Sequence, residues 1–436
     1  MVNIKKFKIC IFLCAIVSCL FSSTFVLAES YDSDVVISMQ INNPIMEVNG
    51  QKSEIDTGNN TTPVISNGRT LVPIRAIIEA FNGNVYWDGN TQTVTLKIAD
   101  DCIVLKINST TAYLNEYEYT LDVSPQIING RTMLPIRFIA EGFNLGVAWD
   151  GNEQRVFIIR NSFDDEEYQE LMSILPSYSG QAYVSINNNI PYFEEYEIIN
   201  ASFEYYSNLD ELGRCDVTMA SISEDIMPTG ERESISSVTP TGWKNKKYDV
   251  VSGGYIYNRC HLIGYQLTGE NANERNLITG TRYLNIDGML PFENMVDDYI
   301  ENTGNHVMYR VTPVFTDSNL VADGILMEAY SVEDEGRGIS FCVYCYNVQP
   351  YIYIDYRTGD NYLSGNTPII EDTPTSENTV QPNNNISQKI YKTPTGKRYH
   401  FDPDCGGKNS FETTYNEAIS SGLTPCKKCA NEQIFN

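Results

Sequence analysis

Histidine is nearly absent from this chain: His261, His306 and His400 are the only three among 436 residues. Any site that gathers several imidazoles around one ion is excluded by that count. Basic charge is also scarce, with 30 Lys and Arg against 56 Asp and Glu and a formal net charge of −26. No domain-wide basic surface can therefore hold a polyanion by charge alone, and any such contact must be local or assisted by a cation. Long apolar runs are lacking too, since the stretch from Ile9 to Leu20 falls short of the ~20 residues that span a bilayer. What the chain has is the composition of folded matter: 42% hydrophobic and 11% aromatic residues, with 29 Tyr. At ~100–200 residues per domain, this length predicts a multi-domain chain.

The first 28 residues place Lys5, Lys6 and Lys8 ahead of that apolar run and end on Val26-Leu27-Ala28, the pattern of a secretory leader with small or short residues before the cleavage point. A retained anchor and lipidation at Cys19 are the alternatives. Cleavage after Ala28 removes Cys10, Cys14 and Cys19 and gives a mature chain without a membrane span. It leaves eight cysteines in an oxidising compartment where disulfides persist. The expected localisation is secreted, with cell-surface association as the variant.

An internal repeat fills residues 34–160. Asn67-Gly68-Arg69-Thr70-Leu71-Val72-Pro73-Ile74-Arg75 recurs as Asn129-Gly130-Arg131-Thr132-Met133-Leu134-Pro135-Ile136-Arg137, and Trp87-Asp88-Gly89 as Trp149-Asp150-Gly151, at a constant offset of 62. Asn-Gly predicts a turn with positive φ, and the stretch from each proline predicts a short helix with Ile74, Ile77, Ile78 and Phe81 on one face. Thr93–Ile98 alternates as a strand. Each copy is expected to be a small α+β unit with its Trp as packing. The copies resemble the stalk repeats named after the N-terminal domain of copper amine oxidases, which implies a spacer able to associate with the cell wall. Residues 161–176 are an acidic, partly helical connector.

Chemistry concentrates between Trp243 and Ile300. Tyr255-Ile256-Tyr257 reads as a strand that delivers Asn258-Arg259-Cys260-His261 at its end, and Asn276, Asn285 and Glu293 follow. This pattern resembles the DNA/RNA non-specific endonuclease family of the ββα-metal type, whose signature is Asp-Arg-Gly-His, then a metal-binding Asn and a Glu eight residues further; the resemblance covers residues 177–358. It implies a mixed-sheet nuclease domain in which His261 is the general base, Asn285 the direct Mg²⁺ ligand, Glu293 the holder of a metal-bound water, and Arg259 a charge near the phosphate. Mn²⁺ is the alternative metal. The chemistry is coherent: a neutral imidazole suits proton abstraction from water, and Mg²⁺ keeps most of its waters while needing one or two protein oxygens beside the substrate phosphate. Pro291 predicts a helix start that puts Glu293 in the first turn.

Two positions depart from the family pattern, Asn258 for its Asp and Cys260 for its Gly. Cys260 is expected as a buried thiol or as a disulfide partner of Cys215, Cys342 or Cys345. From Lys244 to Arg282 six basic residues face three acids, so a local cleft can attract phosphate. Arg275 and Arg282 of that stretch, with Asn276, are the expected substrate contacts, and backbone recognition implies little sequence preference. His306 reads as an ordinary strand-end residue, and strands around Gly324–Tyr330, Ile339–Tyr346 and Tyr351–Tyr356 are expected to complete the sheet beneath the site.

Residues 364–388, rich in Asn, Thr, Pro and Ser, predict a linker. Residues 389–436 then supply His400, Cys405, Cys426 and Cys429, the donor set of a closed tetrahedral Zn²⁺ site, with a disulfide as the competing reading. This module resembles small Cys/His zinc modules at the ends of exported bacterial nucleases, and its excess of lysine and arginine suggests added affinity for nucleic acid or wall. Two functions compete on this reading. One is a secreted endonuclease acting on DNA and RNA; the other is a surface-binding adhesive protein whose nuclease fold is degenerate. An amine oxidase fails because its copper centre resembles a three-histidine site.

Overall fold

The computed structural model describes residues 34–163, 165–364, 390–393, 396–400, 405, 410–413 and 423–426. The expected leader at 1–28, the linker beyond Ser364, and Cys429 lie outside the described residues. The chain divides into two units, Met1–Ile369 and Ile370–Asn436.

In each repeat the Asn-Gly pair closes a tight hairpin: Asn67 and Gly68 both have positive φ, at 51° and 73°, as a two-residue turn of matching twist requires. The hairpin Val64–Ser66 and Arg69–Pro73 leads into the helix Ile74–Ala80, which buries Ile74, Ile77 and Ile78, and then into the hairpin Asn84–Asp88 and Thr93–Ile98. The second copy repeats this order as Gln126–Ile128, Arg131–Pro135, Ile136–Gly142, Gly146–Asp150 and Arg155–Arg160.

The copies are not the independent units expected from the repeat. Arg69–Pro73 pairs with Arg131–Pro135 across the two copies. Val35–Gln40, which precedes the first copy, pairs with Arg155–Arg160 of the second, whereas Asp101–Lys106 completes the sheet of the first. A lone hairpin would leave two bare edges, and these pairings cover one edge of each hairpin while building one shared core. Trp149 packs half-buried against that core. Trp87 departs from its expected burial and is 44% exposed.

The following domain is built on a six-stranded antiparallel sheet in the order Tyr183–Ser185, Ser340–Tyr346, Gly324–Ser331, Val307–Val314, Thr218–Ile222, Phe203–Tyr206. Alternation sorts its side chains between two faces. Val307, Tyr309, Val311, Ile325, Met327, Phe341 and Val343 face the layer that carries the site. Met308 and Met219 point the other way, into a cluster with Val36, Ala148 and Ile159 of the repeat region, and Leu326, Cys342 and Tyr344 meet Leu171 of the helix Asp165–Ile174. A buried ion cluster sits on this second face. Arg310 donates to both oxygens of Glu328 at 2.8 and 3.1 Å and to Glu197 at 3.1 Å, while Asn161 bridges Glu197 and Asp34.

Two further expectations are corrected. The sheet is antiparallel throughout and not mixed, and Ile352–Asp355 does not join it but pairs with Asp360–Leu363 in a separate ribbon. Of the two readings of the cysteines the buried thiol holds, with Cys215, Cys260, Cys342 and Cys345 buried and free. Cys215 donates to the carbonyls of Glu274 and Leu277, both at 3.3 Å, and Cys345 lies 3.7 Å from the Met327 sulfur. Among the described residues no helix is long and apolar enough to cross a membrane.

In the second unit, Phe411–Thr413, Ile390–Lys392, Arg398–His400 and Thr424–Pro425 form a small four-stranded sheet in that order.

Candidate active site

The catalytic motif lies within a strand, not after one: Tyr257–His261 pairs antiparallel with Leu277–Thr281, so that His261 faces Leu277 and Cys260 faces Ile278. Of the residues expected to form that strand, Tyr257 opens it, and Tyr255 and Ile256 belong to the approach, where Gly253 and Gly254 take positive φ and turn the chain into the ribbon. After the second ribbon strand the chain enters a wide helical turn, Leu284–Met289, that runs directly into the helix Leu290–Thr303. Asn285 stands in the turn. Pro291 occupies the first turn of the helix beside Glu293, where the helix dipole favours a carboxylate. One strand, a helical turn and a helix thus carry the three residues that the sequence pattern singles out.

Three contacts link the elements that carry these residues. The Cys260 thiol donates to the Asn285 side-chain oxygen at 3.0 Å, which ties the ribbon to the helical turn. Gly264 lets the segment after His261 come close to Glu293: a Cβ there would lie 3.0 Å from the carboxyl carbon. Arg232 is the third connection, with its guanidinium 3.1 Å from His261 Nδ1 and its charge acting on Glu293 as well. The sequence gives no motif for Arg232, a lone arginine between Glu231 and Glu233, and only the return of this loop to the ribbon reveals it.

Electrostatics set the protonation of the pair. His261 is buried, which pushes its pKa down to about 4; the bond to the Asn271 carbonyl opposes that shift and Arg232 adds to it. The ring is therefore neutral at ordinary pH. Its Nε2 lies 2.8 Å from the Asn271 carbonyl oxygen, an acceptor only, so the proton is assigned to Nε2 and Nδ1 carries the lone pair. Burial pushes the Glu293 carboxyl up to about 8, against the pull of Arg232. A carboxyl so disfavoured as an anion is the kind of oxygen donor that a cation beside it would compensate.

Other expected contacts are placed elsewhere. Arg259 donates to the carbonyls of Val238 and Ser236 and lies over the Trp243 ring at 4.5 Å, which makes it a clamp on the preceding segment. Asn276 is fully buried and clamps Ile263, accepting from its N–H at 2.9 Å and donating to its carbonyl at 3.0 Å, so it supports the loop after His261 and does not face substrate. Arg275 reaches Asn144 and the Tyr206 carbonyl. Arg282 lies half-buried against Gly253. Lys244 pairs with Asp360 at 2.7 Å and Lys246 donates to the Asn361 carbonyl at 2.8 Å, which spends part of the local positive charge. His306 faces Glu333 at 2.7 Å at the start of its strand.

In the second unit the ligand atoms of His400, Cys405 and Cys426 all lie within 4.8 Å of one another, and the two sulfurs are 3.7 Å apart. A disulfide needs about 2.05 Å. Two thiolates on a tetrahedral zinc at about 2.3 Å would be about 3.8 Å apart, so the donor set fits that ion.

Comparisons with known proteins agree with this picture. The model of the DNA/RNA non-specific endonuclease family matches residues 195–333, and that of the copper amine oxidase N-terminal domain matches residues 58–158. Residues 195–333 are thus similar to that endonuclease family, and the repeat region ahead of them to the second. Among solved structures it is similar to NucA from Streptococcus agalactiae with magnesium ion bound, at 24% identity over 46% of this chain and 97% of that one, with a TM-score of 0.40. It is also similar to the Sda1 nuclease with bound zinc ion, at 24% identity over 42% of this chain and 97% of that one, with a TM-score of 0.36. An extracellular endonuclease matches at 20% identity over 43% of this chain and all of its own, with a TM-score of 0.30.

Proposed function

We propose that the endonuclease domain of this chain is a secreted, Mg²⁺-dependent hydrolase that cuts the phosphodiester backbone of DNA and RNA with little sequence preference. The observation that carries the reading is the His261 ring, held at Nε2 by the Asn271 carbonyl with its Nδ1 lone pair turned to Arg232, on a ribbon whose Cys260 contacts Asn285 and beside an arginine whose charge also acts on Glu293. Nδ1 takes the proton of the attacking water, and burial guarantees that the ring is unprotonated when the water arrives. Asn271 keeps Nε2 protonated and fixes the plane of the ring. Arg232 is exposed and reaches the ring from the mouth of the site, so an incoming phosphate draws its guanidinium away and frees Nδ1 in the same motion.

Asn285 and Glu293 offer an amide and a carboxylate oxygen, a donor set that fits Mg²⁺ rather than a thiophilic ion. When bound there, the ion supplies the positive charge that the phosphate and the leaving oxygen require. Cys260 holds the Asn285 amide in one orientation, with a lone pair of its oxygen left over for the ion. His400, Cys405, Cys426 and Cys429 hold Zn²⁺ as a staple of the small C-terminal unit, which adds affinity for nucleic acid or wall. The leader at 1–28 supports export, and the repeats support spacing from the cell surface.

Nicking of supercoiled plasmid by the purified chain with Mg²⁺, with chelator, and with His261→Ala tests the assignment. Cleavage that depends on both the ion and the imidazole is expected. Full activity in the His261→Ala variant, or none in the native chain at any metal concentration, would leave the surface-binding reading.

A further inference from the structure

The second repeat does more than precede the nuclease domain. Asn144, in the turn after the helix Ile136–Gly142, donates through Nδ2 to the Tyr206 carbonyl at 3.0 Å, and its Oδ1 accepts from Arg275. Arg275 belongs to the turn 271–276 that supports the proposed base. Within that turn the Asn271 carbonyl receives His261 Nε2, and Asn276 clamps Ile263 through both its amide atoms. An amide on the repeat is thereby connected, through one guanidinium, to the loop that orients the imidazole.

The approach is close and apolar around this strut. A Cβ at Gly146 would stand 3.3 Å from Tyr205 Cβ, and Val36, Ala148 and Ile159 share a buried cluster with Phe203, Tyr205, Met219 and Met308. The first repeat has the same fold without this face. Its matching positions hold Asn82, Asn84, Tyr86 and Lys97, all exposed, where the second has Asn144, Gly146, Ala148 and Ile159. One copy is thus shaped to receive the nuclease sheet and the other is not.

We infer that the second repeat is a working part of the nuclease, with Asn144 a positioning residue that acts through Arg275 on the turn holding His261. The inference rests on the nuclease reading for its kinetic arm alone. In the full chain, Asn144→Ala leaves the Arg275 guanidinium with only its longer contact to the Tyr206 carbonyl, at 3.4 Å. The expected result is faster amide exchange in the peptide covering 271–277, no change in Val307–Val314, and a loss of about fivefold in kcat with KM within twofold at saturating Mg²⁺. Asn144→Asp, which still accepts from Arg275, is expected to restore both readouts. Unchanged exchange and kcat in Asn144→Ala would overturn the inference, as would exchange rising equally in the turn and the central strands. Absence of nicking by the native chain would sink the nuclease reading, while the exchange arm would still decide whether the strut orders the turn.

Discussion

Arg232→Met is the substitution that most directly probes the site, because it keeps the length of the side chain and removes its charge. Arg232 approaches His261 Nδ1 at 3.1 Å and lies over the Tyr265 ring at 5.8 Å, so methionine can retain the second contact and lose the first. A hydrogen bond to a charged group contributes about 1.5–3 kcal/mol; because Arg232 is exposed and water competes for it, the lower end applies, about 1.5 kcal/mol or tenfold in rate if the guanidinium moves onto phosphate. Two electrostatic consequences accompany the kinetic one. The arginine charge lowers the pKa of both His261 and Glu293, so its removal raises both. Plasmid nicking at saturating Mg²⁺ measures the first effect. Proton–carbon NMR of the ring reads the second, since a chain with three histidines gives few ring signals and His261→Ala identifies the relevant one. A kcat within twofold of native together with an unmoved His261 titration would refute the argument that Arg232 is coupled to the base.

Three other outcomes follow from particular contacts. His261 is neutral in the fold down to about pH 4, whereas the unfolded ring takes a proton near 6.5; the unfolded state therefore binds more protons between these values and stability falls as pH is lowered through that window. The slope approaches about 1.4 kcal/mol per pH unit, and urea midpoints at pH 7 and 4.5 should separate less in His261→Ala than in the native chain; equal separation would contradict the burial of the ring. Arg310→Met strands the carboxylates of Glu197 and Glu328, the first already pushed up to about 7 by burial, and should cost about 3–5 kcal/mol in denaturant unfolding, with a loss under about 1 kcal/mol contradicting the ion cluster. Cys405→Ser should abolish the retention of one zinc per chain after dialysis, measured by elemental analysis, and leave plasmid nicking within twofold; undiminished zinc would place the ion elsewhere.

The helix face of each repeat and the Asn-Gly hairpins were legible because their determinants are local: positive φ at Asn67-Gly68, a proline ahead of the first turn, and apolar residues at helical spacing. The exchange of strands between copies was not, since pairing Val35–Gln40 with Arg155–Arg160 joins residues that no local signal relates. The same limit applies to Trp87 and Trp149, identical in sequence context, of which the second packs against the core and the first is open. In the candidate site, the spacing of His261, Asn285 and Glu293 was legible, and the contacts of Cys260 and Arg232 that connect their elements were not. The partners of the basic residues were not legible either: Lys244 pairs with Asp360, while Arg259 and Arg275 bond neutral carbonyl and amide groups.

Sequence alone determined the repeat at an offset of 62, the endonuclease-like motif around His261, the cysteine-rich end, and the impossibility of a multi-histidine centre. These depend on residue type and short-range order, which the chain carries wherever it goes. Tertiary structure decided which charges are free to meet a phosphate, which thiol touches Asn285, that Arg232 stands at the base, and that one repeat is built into the nuclease while its twin is not. Each of those depends on groups brought together by long-range packing, where burial and the nearest partner, rather than the residue's own chemistry, set what a side chain can do.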